Sequence, residues 1–186
     1  MHSLRFKALA FCSLLPLAVP TGAADDFRGI RLPIEIAGFQ RGSIIDYEAR
    51  KKGLGISVAY GGHNIKATVF IYDMEIENLP EGINNLTVQK QAQRAFQDIL
   101  QAHPEAETLE PLSKGSGACA TFLSAKVLYQ GDPSRPNEPL YSHLYLGSRR
   151  GNFVKVRLTY AAKHAFATGV LFEARFAQAL CRAANE

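Results

Sequence analysis

Apolar and polar positions alternate most regularly in two stretches of this chain. In the first, Leu54, Ile56, Val58 and Tyr60 alternate with small or polar residues. Gly61-Gly62-His63-Asn64 then breaks the run, and Ala67, Val69 and Ile71 resume it. A period of two marks a strand with one buried face, so the segment predicts a β-hairpin. Pairing Tyr60 with Ile65 sets Val58 opposite Ala67 and Ile56 opposite Val69, with both apolar sets on one face. In the second stretch, Leu140, Ser142, Leu144 and Leu146 alternate with Tyr141, His143 and Tyr145. After a turn, Val154, Val156, Leu158 and Tyr160 alternate with Phe153, Lys155, Arg157 and Thr159. A turn over Arg149-Arg150-Gly151, ending on a left-handed glycine, places the leucines opposite the valines and Tyr145 opposite Lys155. A slip of one residue would mix the two faces.

Between the hairpins the period changes. Val88, Ala92, Ala95, Phe96, Ile99 and Leu100 recur at helical spacing and predict a helix from Leu86 to Ala102, with Asn85 as its cap and Pro104 as its stop. Phe172, Phe176, Leu180 and Ala183 form a second stripe, predicting a closing helix from Phe166 to Ala184. Asp25–Arg31 reads as a lead-in, Leu32–Phe39 as an edge strand on account of Pro33, and Ser43–Ala49 as a short strand. Ala118–Tyr129 reads as a long strand reached through a link containing Pro111, Gly115 and Gly117, and Gly131–Pro139 as an exposed loop. Strands, helix, strands, helix, joined by short turns, predict an α+β sandwich. A mainly antiparallel sheet packs with a mid-chain helix and a C-terminal helix.

This order resembles the Mog1/PsbP-like fold across most of residues 32–182. The matching features are the extended segment at Leu32–Phe39, the glycine-flanked hairpin, one mid-chain helix, a strand near Gly117-Ala118, a long hairpin and a closing helix. The resemblance implies an accessory or binding role, since that fold group includes photosystem-associated proteins, Ran-binding proteins and exported bacterial domains. No residue pattern carries either named activity to this chain.

Composition changes the picture at the N-terminus. Arg5 and Lys7 precede an apolar run from Ala8 to Val19, and Gly22, Ala23 and Ala24 close the segment. The run is too short to span a bilayer, and residues 1–24 read as a secretory signal cleaved near Ala23-Ala24. Residues 25–186 then form a single α+β domain. Two of the chain's 21 basic residues leave with the signal, so 19 face 17 acidic ones. The charges are interspersed, without the clustered basic footprint that nucleic-acid binding requires. Cys12 follows Phe11 rather than the small residue of a lipidation motif, and it too leaves with the signal. Cys119 and Cys181 remain, and in an oxidising compartment such a pair predicts a disulfide. The setting this implies is periplasmic or secreted, with no transmembrane segment in the mature chain.

Candidate chemistry is sparse. His63, His103, His143 and His164 form no metal-ligand spacing. Ser116 lies in Gly115-Ser116-Gly117, which is neither a nucleophile elbow nor a dinucleotide loop. The sequence therefore implies no catalytic residue, no metal and no cofactor. The best functional surface lies on the second hairpin. In the register above, Tyr141, His143 and Tyr145 share a face with Phe153, Lys155 and Arg157, and aromatic rings beside cations can stack on a ligand or receive an acidic group. Arg149 and Arg150 at the turn extend it. The expected function is an exported accessory protein engaging a protein or envelope component. A small-molecule hydrolase or a ligand carrier with a dispersed site is the alternative.

Overall fold

The computed structural model describes residues 24–62, 65–131, 138–164 and 170–185. Residues 1–23, nearly all of the segment expected to be a secretory signal, lie outside these, as do His63, the centre of the Gly131–Pro139 loop and the side chains of His164 and Phe172.

The described residues open with a separate antiparallel hairpin of β1 (Ala24–Phe27) and β2 (Ile30–Pro33). The main sheet follows, from β3 (Glu35–Ile36), β4 (Phe39–Asp46), β5 (Ile56–Gly62), β6 (Ile65–Tyr72), β7 (Glu107–Lys114), β8 (Leu123–Tyr129), β9 (Leu140–Arg149) and β10 (Asn152–Ala161). Their spatial order is β3-β4-β5-β6-β10-β9-β8-β7, and the described pairs are all antiparallel. Helix α1 (Leu86–Ala102) and helix α2 (Val170–Asn185) complete the α+β sandwich.

The helices cover opposite faces. Val88, Ala92, Ala95, Phe96 and Ile99 of α1 pack on Ala125, Val127, Leu144, Leu146 and Phe153. Asn85 caps the helix as its sequence predicts, its side chain accepting the Val88 N–H at 2.9 Å. On the other face Phe176 and Leu180 of α2, with Ile30 and Leu32 of β2, close over Val58, Tyr60, Val69, Val156 and Leu158. The Phe176 ring lies 4.7 Å from that of Phe39 and 5.9 Å from that of Tyr60. Cys181 of α2 is disulfide-bonded to Cys119, with their Cα atoms 5.2 Å apart.

Four sequence expectations change. The first hairpin pairs Tyr60 with Ala67 and Val58 with Val69, two positions away from the expected register. A shift of two leaves every side chain on its expected face. The strand expected from Ala118 begins only at Leu123, because Gly117–Cys119 forms a short 3-10 turn tied to α2 by the disulfide and by Ala118 N–H donating to Gln178 Oε1 at 2.8 Å. The link before it is itself a strand, β7, whose sequence ETLEPLSK shows no apolar alternation because it is an exposed edge.

The fourth change matters most. The β9–β10 turn holds two residues, Arg150 and Gly151, and Asn152 pairs with Arg149. Both turn residues are left-handed, with φ of 49° and 72°, which suits the twist of a two-residue hairpin. Glu81 steadies the strained arginine, its carboxylate accepting the Arg150 N–H at 3.1 Å and a proton of Arg149 Nη1 at 2.7 Å. Tyr145 therefore opposes Val156, and Lys155 opposes Leu146. The expected segregation of faces assumed that one face is wet. Here α2 and α1 each cover apolar positions of β9 and β10, so neither face is the fully wet one that segregation assumes.

Candidate functional site

That register divides the surface expected on the second hairpin. Tyr141, His143 and Tyr145 point to the α2 side, and Phe153, Lys155 and Arg157 to the α1 side. His143 is buried, stacked beside Tyr145 and Tyr160, with Nε2 3.2 Å from Tyr160 Oη. Lys126 sits over the Tyr141 ring at 4.9 Å. Phe153 is fully buried in the α1 core and offers no surface. Arg149 is engaged by Glu81 at the far end of the hairpin, where it helps line a cleft of about 220 Å³ with Phe122, Ser148 and Val154. The structure thus keeps Lys155 and Arg157 together, buries Phe153 on the same face, and separates Tyr141, His143, Tyr145, Arg149 and Arg150 from them.

Lys155 and Arg157 stand two residues apart on one face of β10, both half-buried. α1 packs over β7, β8 and β9, leaving these cations at the margin of the covered area. Lys155 Nζ lies 4.4 Å from the Phe70 ring centre and 5.7 Å from that of Tyr72, so its stem and charge both rest on aromatic faces. Arg157 donates from Nε and Nη2 to Ser142 Oγ, at 3.2 and 2.8 Å, which fixes its fork. Among the described residues, neither cation forms an ion pair. Burial lowers the proton affinity of both; Arg157 lowers that of Lys155 further, and Asp98 of α1 raises it.

Two half-buried, adjacent cations with no ion-pair partner among the described residues are a cost to folding, which Asp98 offsets in part at Lys155. Because Lys155 is pushed below its ordinary value, the unfolded chain holds more protons between that lowered value and the ordinary one. The contribution of Lys155 to stability therefore rises with pH through that window. The aromatic neighbours were missed in the sequence because they sit on β6, at the polar parity of its alternation. Phe70 and Tyr72 follow Lys66 and Thr68 there, and only the β6–β10 register brings Phe70 opposite Lys155 and Thr68 opposite Arg157.

Tyr72 closes one end of the site. Its Oη accepts from Gln91 Nε2 at 2.9 Å, and burial pushes the phenol up to about 12. Tyr60, in the opposite core, is likewise pushed up to about 12 by burial and donates to Pro33 O at 2.6 Å. The folded state holds these protons where the unfolded state releases them, so stability contributed by both phenols is present below about pH 10 and is lost as pH rises towards 12. Denaturant midpoints should fall across that window. In an absorbance titration of the 7 tyrosines, part of the change should arrive late, together with unfolding. A titration complete by about pH 11 with the protein still folded would contradict the burial of these two groups.

Among the described residues, no group of three or more His, Cys, Asp and Glu side chains could hold a metal ion, and no helix is long and apolar enough to cross a membrane. No family model matches the chain, and no curated protein matches it. In structure it is similar to the solution structure of cyanobacterial PsbP (CyanoP) from Synechocystis sp. PCC 6803, with a TM-score of 0.44 and 14% identity over 88% of this chain and 94% of that one.

Proposed function

We propose that this chain is an exported binding protein whose working surface is the Lys155/Arg157 face of the sheet, and that it takes an acidic group of a protein or envelope component there. The observation that carries this reading is the pair of half-buried cations beside Phe70 and Tyr72 with no ion-pair partner among the described residues. An anion binding between them supplies the missing charge, and the partial burial strengthens the attraction. The guanidinium is already oriented by Ser142, so little freedom is lost on binding. The basic, apolar and small-residue order of residues 1–24 supports export.

The test uses succinate and inorganic phosphate as probes at constant ionic strength, followed by NMR. Saturable shifts are expected at Lys155, Arg157 and Phe70, and their loss is expected in Lys155→Met with Arg157→Gln. Lys155→Met alone should leave the fold intact and raise stability by about 1 kcal/mol, because it keeps the stem and removes an unpaired charge. Shifts that do not saturate, or that survive in the double variant, would remove the assignment.

A further inference from the structure

The two edges of the main sheet are finished differently. β7 is blunted by Glu107, Glu110, Pro111 and Lys114 and by two shifts of register, devices that discourage pairing with another chain. β4 is not. β3 pairs only with Phe39 and Gln40, so Ser43-Ile44-Ile45-Asp46 forms an open edge that is exposed throughout. The Tyr47 N–H donates to Gly55 O at 2.8 Å, which makes these opposite residues a hydrogen-bonded pair. By alternation Ile45 and Ser57 form the next such pair, so the N–H and C=O groups of Ile44 and Asp46 point outward.

Apolar surface gathers at the same end. Ile44 (48% exposed), Ile45 (44%), Leu54 (44%), Met74 (40%) and Ile76 (36%) are five of the eight large hydrophobic residues left exposed among those described. Leu54 and Met74 lie on loops held together by Met74 N–H donating to Gly53 O at 2.8 Å. The charges there are sorted. Glu48 accepts from the Gly53 and Gly55 N–H groups and from Arg28, Asp73 accepts from Arg28 and the Glu75 N–H, and Asp46 accepts from the Glu48 N–H. These carboxylates serve the loops. Arg50, Lys51 and Lys52, just beyond the end of β4, are exposed and form no ion pair among the described residues.

We infer that β4 pairs with an extended segment of a partner protein. The segment adds to the sheet beyond the open half of β4, its apolar side chains meeting Ile44 and Ile45 and its acidic side chains meeting Arg50, Lys51 and Lys52. Backbone bonding supplies affinity, and the basic triplet selects the acidic end. This site is separate from Lys155 and Arg157 and does not depend on their role.

The probe is a fluorescein-labelled peptide of sequence DDETVTITV, compared with KKKTVTITV by fluorescence anisotropy on the full chain. The acidic peptide should bind about tenfold more tightly than the basic one. Ile44→Pro removes an outward N–H without touching the β5 ladder, and should weaken binding about tenfold. Reversing Arg50, Lys51 and Lys52 to glutamate should invert the preference. Amide exchange at Ile44 and Asp46 should slow in the wild-type protein when the acidic peptide is added, a readout that needs no variant. Equal affinity for both peptides, undiminished binding by a folded Ile44→Pro, or unprotected Ile44 and Asp46 amides would each overturn the inference. Self-association by sedimentation that Ile44→Pro abolishes would instead assign the edge to a second copy of the chain.

Discussion

Gly55→Ala is expected to cost about 4 kcal/mol of folding stability. Gly55 adopts φ +62°, and a Cβ there would lie 1.9 Å from the backbone oxygen of Ile71. A left-handed alanine costs about 1–3 kcal/mol in strain, and relieving the clash by moving backbone costs about as much again. The neighbourhood has little freedom to give. The Gly55 N–H is held by Glu48 Oε2 at 2.7 Å and its carbonyl by the Tyr47 N–H at 2.8 Å. The damage should therefore spread to the loop carrying Arg50, Lys51 and Lys52 and to the start of β5. Gly61→Ala is the control, since its added Cβ meets no heavy atom within 4 Å. Urea denaturation should show the Gly55 variant losing most of its stability while the Gly61 variant stays within about 0.5 kcal/mol. A Gly55→Ala protein as stable as the wild type would mean that the two backbones do not approach this closely.

Replacing both Cys119 and Cys181 by serine is expected to cost a similar amount, about 4 kcal/mol, through the loop-closure entropy restored to the unfolded chain. The bond spans 62 positions. Its structural effect should be local to α2. Without it the helix is held by Phe176, Ala177 and Leu180 and by Gln178 accepting from Ala118 N–H. Amide exchange should accelerate in α2 well before it does in β10, whose neighbours on both sides are strands. A loss of less than about 1 kcal/mol, or uniform acceleration across the chain, would count against this role for the bond.

The elements that the sequence made legible are those set by local chemistry. The α1 boundaries follow from Asn85, the apolar spacing of Val88 to Ile99, and Pro104, and none of these signals depends on distant residues. The β5 and β6 faces were legible because one parity is consistently apolar, even though the register shifted by two. β7 was illegible because an exposed edge strand buries little, here only part of Leu112, and so carries no pattern. The candidate site was legible in part. Lys155 and Arg157 stand out as cations inside an apolar strand, yet their aromatic companions were misassigned.

That misassignment marks the boundary between the two kinds of information. By itself the sequence determined the types of most elements, their order, the cap of α1 and which strands join as hairpins, though not their register, since these rest on dihedral preference and short-range periodicity. Tertiary structure alone decided which rings face Lys155, because helices cover both sides of the sheet and remove the wet face that would have fixed the register. It likewise decided that residues 43–46 of β4 are left open, because an edge is defined by the absence of a neighbouring strand, which no residue in β4 encodes.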